Sequence, residues 1–339
     1  VSEVIPETAT TRTLRLVSPG GWLPPFQAGQ YVNLFVTVAG VRTSRPYSIA
    51  SSPAQTGHWD LTVRRAGGGF VSDYLLDEVR VGDVFESTSP AGTFTHNPLF
   101  HGNHLVFLAG GSGITPFMSM IRETADRGLE RRIHLIYGTR TTDDVIFRDE
   151  LDAIAGRHPN ITWDLVVSEP PAGYEGRTGF LDAACLRDCL GDAAGRMFYV
   201  CGPEEMYTLC LAALDELRVP RRRVRREVYG PPREVTRQPG WPADIAGDAE
   251  FTATLNDGRA VAVRAGEPLM NALERAGVGV AAQCRSGECS LCRTRLVSGT
   301  VFQPAGARLR RSDRRFGYIH ACFAYPLSDI TLDLLPSPG

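Results

Sequence analysis

Three cysteines, Cys284, Cys289 and Cys292, stand at C-x4-C-x2-C spacing, and a fourth, Cys322, follows thirty positions after the third. These intervals are those that hold a plant-type 2Fe–2S cluster. Three thiolates must reach one small inorganic core from a single tight loop, so the loop needs residues that turn without bulk. Ser286, Gly287 and Ser290 are such residues, and a distant strand is expected to bring in Cys322 as the fourth ligand. A zinc site or buried structural thiols are the alternatives. Zinc sites more often repeat a C-x2-C pair, and structural thiols rarely fall at four such intervals. The other thiols, Cys185, Cys189, Cys201 and Cys210, suggest no disulfide framework, which together with a labile cluster fits a reducing cytosol. Cys185 and Cys189 lie at helical spacing with no histidine beside them and read as core packing. His96, His101 and His104 show no ligand spacing and are assigned nothing.

A chain of 339 residues leaves room for two or three domains around these ligands. Its 43% apolar and 22% charged content is that of a globular protein, and no apolar run reaches the length of a membrane helix. The first residues lack the basic-then-apolar layout of a secretory leader. A net charge of −2 gives no reason to expect nucleic acid or a membrane surface. All 36 basic residues are arginine, which is a matter of composition rather than mechanism.

Residues 1 to about 101 read as antiparallel β, with β-branched and aromatic runs at 30–38 and 60–65 bounded by Gly, Pro and Ser. Short strands with turn signals between them predict a small barrel. Two stretches exceed scaffolding. Arg45-Pro-Tyr47-Ser48 lies on a strand, and Gly67-Gly-Gly69-Phe70-Val71-Ser72 opens a short amphipathic helix. A helix N-terminus offers unpaired N–H groups to a phosphate, and an arginine can chelate the same pyrophosphate. A tyrosine two positions along a strand shares the arginine's face and can cover a flat ring.

From His104 the period changes. Apolar runs at 105–109, 133–137, 161–167 and 196–200 alternate with helical stretches, which predicts a doubly wound parallel sheet with its ligand at the carboxyl ends of the strands. The first run ends in Gly110-Gly111-Ser112-Gly113-Ile114-Thr115-Pro116, which is not the G-x-G-x-x-G fingerprint. The second ends at Gly138, followed by Arg140. The fourth runs into Cys201-Gly202-Pro203-Glu-Glu-Met206. Residues 231–249 are Pro-rich and read as an extended, semi-rigid linker. Residues 250–339 then give two strands about an Asn-Asp-Gly turn, a helix stopped by Gly277, and the cysteine loop.

Taken together, these motifs resemble the ferredoxin–NADP reductase superfamily over nearly the whole chain, in its three-domain oxygenase-reductase form. The resemblance implies a multidomain α+β and α/β protein. An antiparallel β-barrel flavin domain (1–101), a doubly wound nicotinamide domain (102–230), a linker (231–249) and a β-grasp 2Fe–2S ferredoxin domain (250–339) are expected in that order. It implies that Arg45 binds the flavin pyrophosphate, Tyr47 stacks on the isoalloxazine and Ser48 hydrogen-bonds near N5. Gly69, Phe70, Val71 and Ser72 would cradle the phosphates, and the Gly92-Thr-Phe94 ending favours FAD over FMN. Gly110, Gly111, Ser112, Gly113, Thr115 and Pro116 match the nicotinamide phosphate loop, with Gly138 and Arg140 beside it. Cys201, with Gly202, Pro203 and Met206, would position the nicotinamide C4 rather than act as a nucleophile, since no base lies near it in sequence. Glu227 and Tyr229 correspond to an acid and an aromatic near the flavin.

Whether the donor is NADH or NADPH turns on cations for the extra phosphate. Arg140 and Arg177 could supply them or be solvated loop residues, and NADH is favoured. The implied activity passes hydride from NAD(P)H to FAD, then single electrons through the cluster to a separate redox protein, foremost a terminal oxygenase. The competing readings are a non-oxygenase acceptor, such as a corrinoid protein or another ferredoxin, and a non-enzymatic module that has lost electron flow. Residues 250–339 carry eleven arginines against eight acids, a net of +3 where free plant-type ferredoxins are commonly acidic. Arg308, Arg310, Arg311, Arg314 and Arg315 form either a docking patch for an acidic partner or a solvated loop. Arg221 to Arg226 read as a strand edge.

Overall fold

The protein is described by a computed structural model in which residues 1–334 are placed. The chain begins with strands β1 (Glu3–Thr8), β2 (Thr11–Leu16), β3 (Tyr31–Val38), β4 (Val41–Ser48) and β5 (Trp59–Arg64). Helix α1 (Phe70–Asp77), strand β6 (Glu86–Ser87) and the short helix α2 (Pro98–His101) follow. The middle of the chain alternates strand and helix: β7 (His104–Gly110), α3 (Thr115–Asp126), β8 (Arg132–Thr139), α4 (Arg148–Arg157) and β9 (Ile161–Val167). It continues with β10 (Arg177–Thr178), α5 (Ala183–Leu190), β11 (Met197–Cys201), α6 (Glu204–Glu216) and β12 (Val224–Glu227). The last part holds β13 (Glu250–Leu255), β14 (Ala260–Arg264), α7 (Leu269–Arg275), β15 (Arg293–Ser298) and β16 (Val301–Phe302). It ends with α8 (Arg311–Arg315), β17 (Tyr318–His320), β18 (Tyr325–Pro326) and β19 (Ile330–Asp333). Two compact units result, one of residues 1–32 and 47–228, the other of 33–46 and 229–339.

In the first unit, β7 to β12 form a six-stranded sheet of order β10-β9-β8-β7-β11-β12, parallel throughout. The continuous apolar runs exist because both faces are covered. Leu105, Phe107 and Ala109 of β7 join Met197, Tyr199 and Cys201 of β11 in a core with Phe117, Met118 and Ile121 of α3. The intervening Val106, Leu108, Phe198 and Val200 face a second core with Leu186 of α5 and Cys210 and Leu214 of α6. Phe107 stacks on Phe117 at 4.7 Å and meets Tyr199 edge-on at 5.6 Å. Such pairs add about 0.5–1.5 kcal/mol each beyond area burial. Phe94, at the end of the flavin-domain sequence, packs edge-on against the same Tyr199 at 5.4 Å. Outside this sheet, β1, β2 and β5 form an antiparallel sheet in the order β1-β2-β5.

In the second unit, five strands in the order β14-β13-β19-β15-β17 make a mixed sheet, with β13 and β19 parallel and the other pairs antiparallel. Leu269, Ala272 and Leu273 of α7 bury against Ala253, Val263, Ile330 and Leu332, the β-grasp arrangement of helix on sheet. Residues 231–249 depart from an extended linker. A 3-10 turn at Val235–Arg237 buries Val235, and Trp241 packs edge-on against Phe302 at 5.3 Å while its indole N–H donates to Ile245 O. An indole with both an apolar body and a donor satisfied holds the Pro-rich segment down, which composition alone does not reveal.

Candidate cofactor sites

The cluster cysteines all lie in the second unit. Between Cys284 and Cys292 the backbone turns through left-handed conformations at Arg285 (φ 50°), Gly287 (φ 73°) and Ser290 (φ 61°). Two of these residues are not glycine, an arrangement that costs energy and persists only where its surroundings hold it. The turns aim backbone donors at sulfur: Ser286, Glu288 and Cys289 N–H each point at Cys284 Sγ, at 3.4, 3.4 and 3.3 Å. Cys292 and Cys322 Sγ lie 3.2 Å apart. Cys322 does not come from a strand as expected. β17 ends at His320, and Cys322 sits in the 3-10 turn Ala321–Phe323, whose first N–H donates to Cys292 O. The turn puts the thiol toward Cys292 and the Phe323 ring against Gly287, where an added Cβ would stand 2.9 Å from Cγ of that ring. His320, fully buried, bridges Gly287 O and Ser290 Oγ at 2.9 and 3.1 Å and so ties the loop at two points.

The donor set fits a two-iron cluster. Among the described residues no three His, Cys, Asp or Glu are placed to hold one metal ion. A two-iron core asks for something else, two thiol pairs, because each iron takes two thiolates. Cys284 is pushed toward the thiolate by the thiols of Cys289 and Cys322 and by the Ser286 N–H, and Cys292 is pushed the same way by Cys322. Cys289 is exposed, whereas the other three are buried.

The residues read as nicotinamide-binding all lie in the first unit, at the carboxyl ends of β7, β8 and β11. Gly110 to Ile114 leave β7 through a 3-10 turn directly into α3, with Pro116 in its first turn. At Gly113 and Gly110 glycine is required by contact rather than by dihedral angle. An added Cβ on Gly113 would lie 2.2 Å from Cys201 O and 2.7 Å from Gly202 N, and one on Gly110 would lie 2.5 Å from Met206 Sδ and 2.7 Å from Pro203 Cδ. The loop and the Cys201–Met206 segment therefore touch backbone to backbone. Cys201 is fully buried, Pro203 exposed, and Ser112 is half-buried between buried Gly111 and Gly113. Gly138, one residue before the end of β8, lies against the Leu181 side chain. Arg140 is exposed and 3.4 Å from Glu169, while Arg177 pairs with Asp164 at 3.1 Å and also with Asp188.

Two tyrosines that hold these segments escaped sequence reasoning, Tyr137 and Tyr207. The buried Tyr137 hydroxyl donates to Gly111 O at 2.9 Å and accepts from Ile146 N–H, and burial raises its pKa. Tyr207 accepts from Gly202 N–H at 3.2 Å and donates to Glu227 O, which pins the end of β11 to β12. Thr115 Oγ1 donates to Ser112 O at 2.8 Å. The signal was present for the first: a tyrosine in an apolar parallel strand must find a partner for its hydroxyl. The histidines left unassigned also have structural partners, since His101 Nδ1 meets Tyr199 OH at 2.6 Å and His96 Nε2 meets Gly102 O at 2.7 Å. Cys185 and Cys189 on α5 are half-buried against the second core, in keeping with packing. Arg221–Arg223 form a 3-10 turn leading into β12 at the sheet edge.

Arg45, Tyr47 and Ser48 lie on β4, Arg45 and Tyr47 half-buried and Ser48 buried. Gly69 is the N-cap of α1, with Phe70, Val71 and Ser72 in its first turn. Ser72 Oγ accepts from Ala66 N–H at 3.1 Å, which folds the glycine loop over the helix start, and a Cβ on Gly69 would meet that oxygen at 2.1 Å. The first-turn N–H groups and the close approach allowed by glycine fit a phosphate. Glu227 ends β12, and Tyr229 is 38% exposed.

Comparison with known proteins places names on these parts. Residues 4–96 match the oxidoreductase FAD-binding domain family, 107–211 the oxidoreductase NAD-binding domain family, and 254–327 the 2Fe-2S iron-sulfur cluster binding domain family. The chain is 28% identical over 345 residues to the glycine betaine monooxygenase reductase subunit of Pseudomonas aeruginosa, covering 98% of this chain and 93% of that one. It is 30% identical over 335 residues to the NADH oxidoreductase HCR of Escherichia coli, covering 98% and 96%. The solved structure of phthalate dioxygenase reductase superposes with a TM-score of 0.72 at 25% identity, over 98% of this chain and 96% of that one. The chain thus belongs to the three-domain reductases of the ferredoxin–NADP reductase type, oxidoreductases with FAD-, NAD- and 2Fe–2S-binding domains on one polypeptide.

Proposed function

We propose that this chain takes hydride from NADH onto FAD and delivers single electrons through a 2Fe–2S cluster to a separate protein, a terminal oxygenase. The observation that carries this is the four-thiol nest of Cys284, Cys289, Cys292 and Cys322 on the same chain as the Gly110–Gly113 loop. When bound, the nicotinamide supplies two electrons together, the flavin accepts two and releases one at a time, and a plant-type cluster carries one at roughly −400 mV.

The chain's own residues orient these groups. Arg45 and the first-turn N–H groups of Phe70, Val71 and Ser72 hold the flavin phosphates, Tyr47 covers the ring and Ser48 hydrogen-bonds its edge. The Gly110–Pro116 loop, Gly138 and Arg140 bind the nicotinamide nucleotide. Cys201 would position the nicotinamide C4, with Gly202, Pro203 and Met206 beside it. Glu227 and Tyr229 border that site. Domain limits near 101, 230 and 249 are consistent with β7 starting at His104, β12 ending at Glu227 and β13 starting at Glu250.

NADH is favoured over NADPH because Arg177 is already paired with two carboxylates and Arg140 lies beside Glu169. The Escherichia coli relative named for NADH supports the same donor, and it keeps open an acceptor other than an oxygenase. The oxygenase acceptor is supported by the monooxygenase subunit and phthalate dioxygenase relatives. Among the described residues no helix is long and apolar enough to cross a membrane, and with its free thiols the chain suits the cytoplasm.

Docking through the basic segment is supported by exposure. Arg310, Arg311, Arg314 and Arg315 are exposed, and none pairs with a carboxylate among the described residues, whereas Arg308 pairs with Glu288 at 3.2 Å. Phe316, 64% exposed, adds apolar area, and arginine with aromatic residues is the composition of interface hot spots. The test is NADH-driven reduction of an acidic protein acceptor beside that of ferricyanide, as ionic strength rises from about 0.05 to 0.5 M. The protein acceptor should slow and the small oxidant should not. An equal response of both would remove the docking role.

A further inference from the structure

One buried polar cluster in the second unit joins residues far apart in sequence. Glu274, on α7, ion-pairs with Arg285, the residue after Cys284. Thr43, on β4, donates its hydroxyl to Glu274 Oε2 at 2.8 Å and accepts from Arg285 Nη2 at 3.1 Å. The same oxygen accepts from Arg45 Nη1 at 2.7 Å, so its one donor and two lone pairs are all engaged. Arg285 and Thr43 are 5% and 3% exposed, and the Glu274 side chain 10%. Asn271, a turn earlier on α7, offers its Oδ1 to Arg285 Nη1 at 3.4 Å. A second tie runs parallel, from Asn33 Nδ2 to Ala282 O at 2.8 Å, two residues before Cys284.

A buried arginine tolerates the loss of water only with its counter-charge in place. Glu274 supplies that charge, and it does so while Arg285 holds a left-handed backbone conformation within the cluster loop. The pairing therefore stabilises the strained turn that aims Ser286 N–H at Cys284. Through Thr43 it also fixes the Arg45 guanidinium, whose Nη1 donates to Ser44 O as well, at 2.8 Å.

We propose that Thr43, Glu274 and Arg285 act as one positioning device. It sets the cluster loop and the Arg45-bearing end of β4 together, so that order in either segment depends on the other. Glu274 and Thr43 act through Arg285 and Arg45. The consequence for electron delivery rests on the reading of Arg45 as the pyrophosphate ligand; the mutual ordering does not.

The experiment is hydrogen exchange on the purified holoprotein, following peptides across Val41–Arg45 and Ala282–Ser286, for Glu274→Gln, Thr43→Val and Thr43→Ser. Glu274→Gln and Thr43→Val should each raise exchange in both segments by about tenfold, the size of a lost buried coupling, with Thr43→Ser near the parent. In stopped-flow, both variants should slow cluster reduction by about tenfold. Should Glu274→Gln fail to fold, Thr43→Val alone decides. Exchange rising only on the mutated side, or Thr43→Ser behaving as Thr43→Val, would overturn the device. Unchanged flavin retention in Arg45→Ala would instead remove the pyrophosphate reading and leave the exchange result standing.

Discussion

The two loops proposed to hold the nicotinamide and the cluster are both rich in small residues, yet they are built on opposite principles. The Gly110–Gly113 loop is closely packed: an added Cβ at Gly113 or Gly110 collides with the backbone or side chains of Cys201–Met206. The cluster loop uses side chains where the other excludes them. Arg285 and Ser290 occupy left-handed conformations despite their Cβ atoms, and each is held by a partner, Glu274 for the first and His320 for the second. Close approach of two backbones demands glycine and gains a tightly packed turn. Convergence of thiols demands a strained backbone and gains fixed sulfur positions at the cost of buried partners to hold the strain.

Substitutions can break this contrast, beginning where the effect is largest. Cys289→Ser should abolish the cluster's visible absorbance and reduction of a protein acceptor, yet leave NADH-driven reduction of a small dye near the parent rate. Parallel assays on one preparation check this, and equal loss of both activities would count against separable paths. Gly113→Ala should lower kcat/KM for NADH by about a hundredfold, since a misplacement near 1 Å carries that penalty. Iron content and cluster absorbance should stay as in the parent. Gly287→Ala should cost about 1–3 kcal/mol, combining left-handed strain with overpacking against Phe323. Thermal loss of the cluster absorbance should shift downward while flavin bleaching by NADH is unaltered. A kinetic defect in flavin bleaching in that variant would mean the loops are not independent.

Much of this was legible in the chain itself. Cysteine spacing and the apolar runs before Gly110 and Gly138 rest on local periodicity and on fixed chemical intervals, which sequence displays directly. What was not legible depends on long-range contact. Tyr137 and Tyr207 carried no mark in the sequence because their hydroxyl partners, Gly111 O and Glu227 O, are distant along the chain. The Thr43–Glu274 contact spans 231 positions and has no local signature. Cys322 was expected from a strand, but the chain turns after His320 to bring thiol and ring together. Trp241 anchors a segment whose proline content suggested an extended spacer.

The most direct test of the whole assignment is anaerobic stopped-flow mixing of the purified protein with NADH, recorded across the flavin and cluster absorption bands. Flavin bleaching should come first, followed by a slower phase in which the cluster bands bleach on the same molecule, with the second phase absent in Cys289→Ser. Flavin bleaching with the cluster bands unchanged, or cluster bleaching that does not need the flavin, would contradict electron passage along this chain.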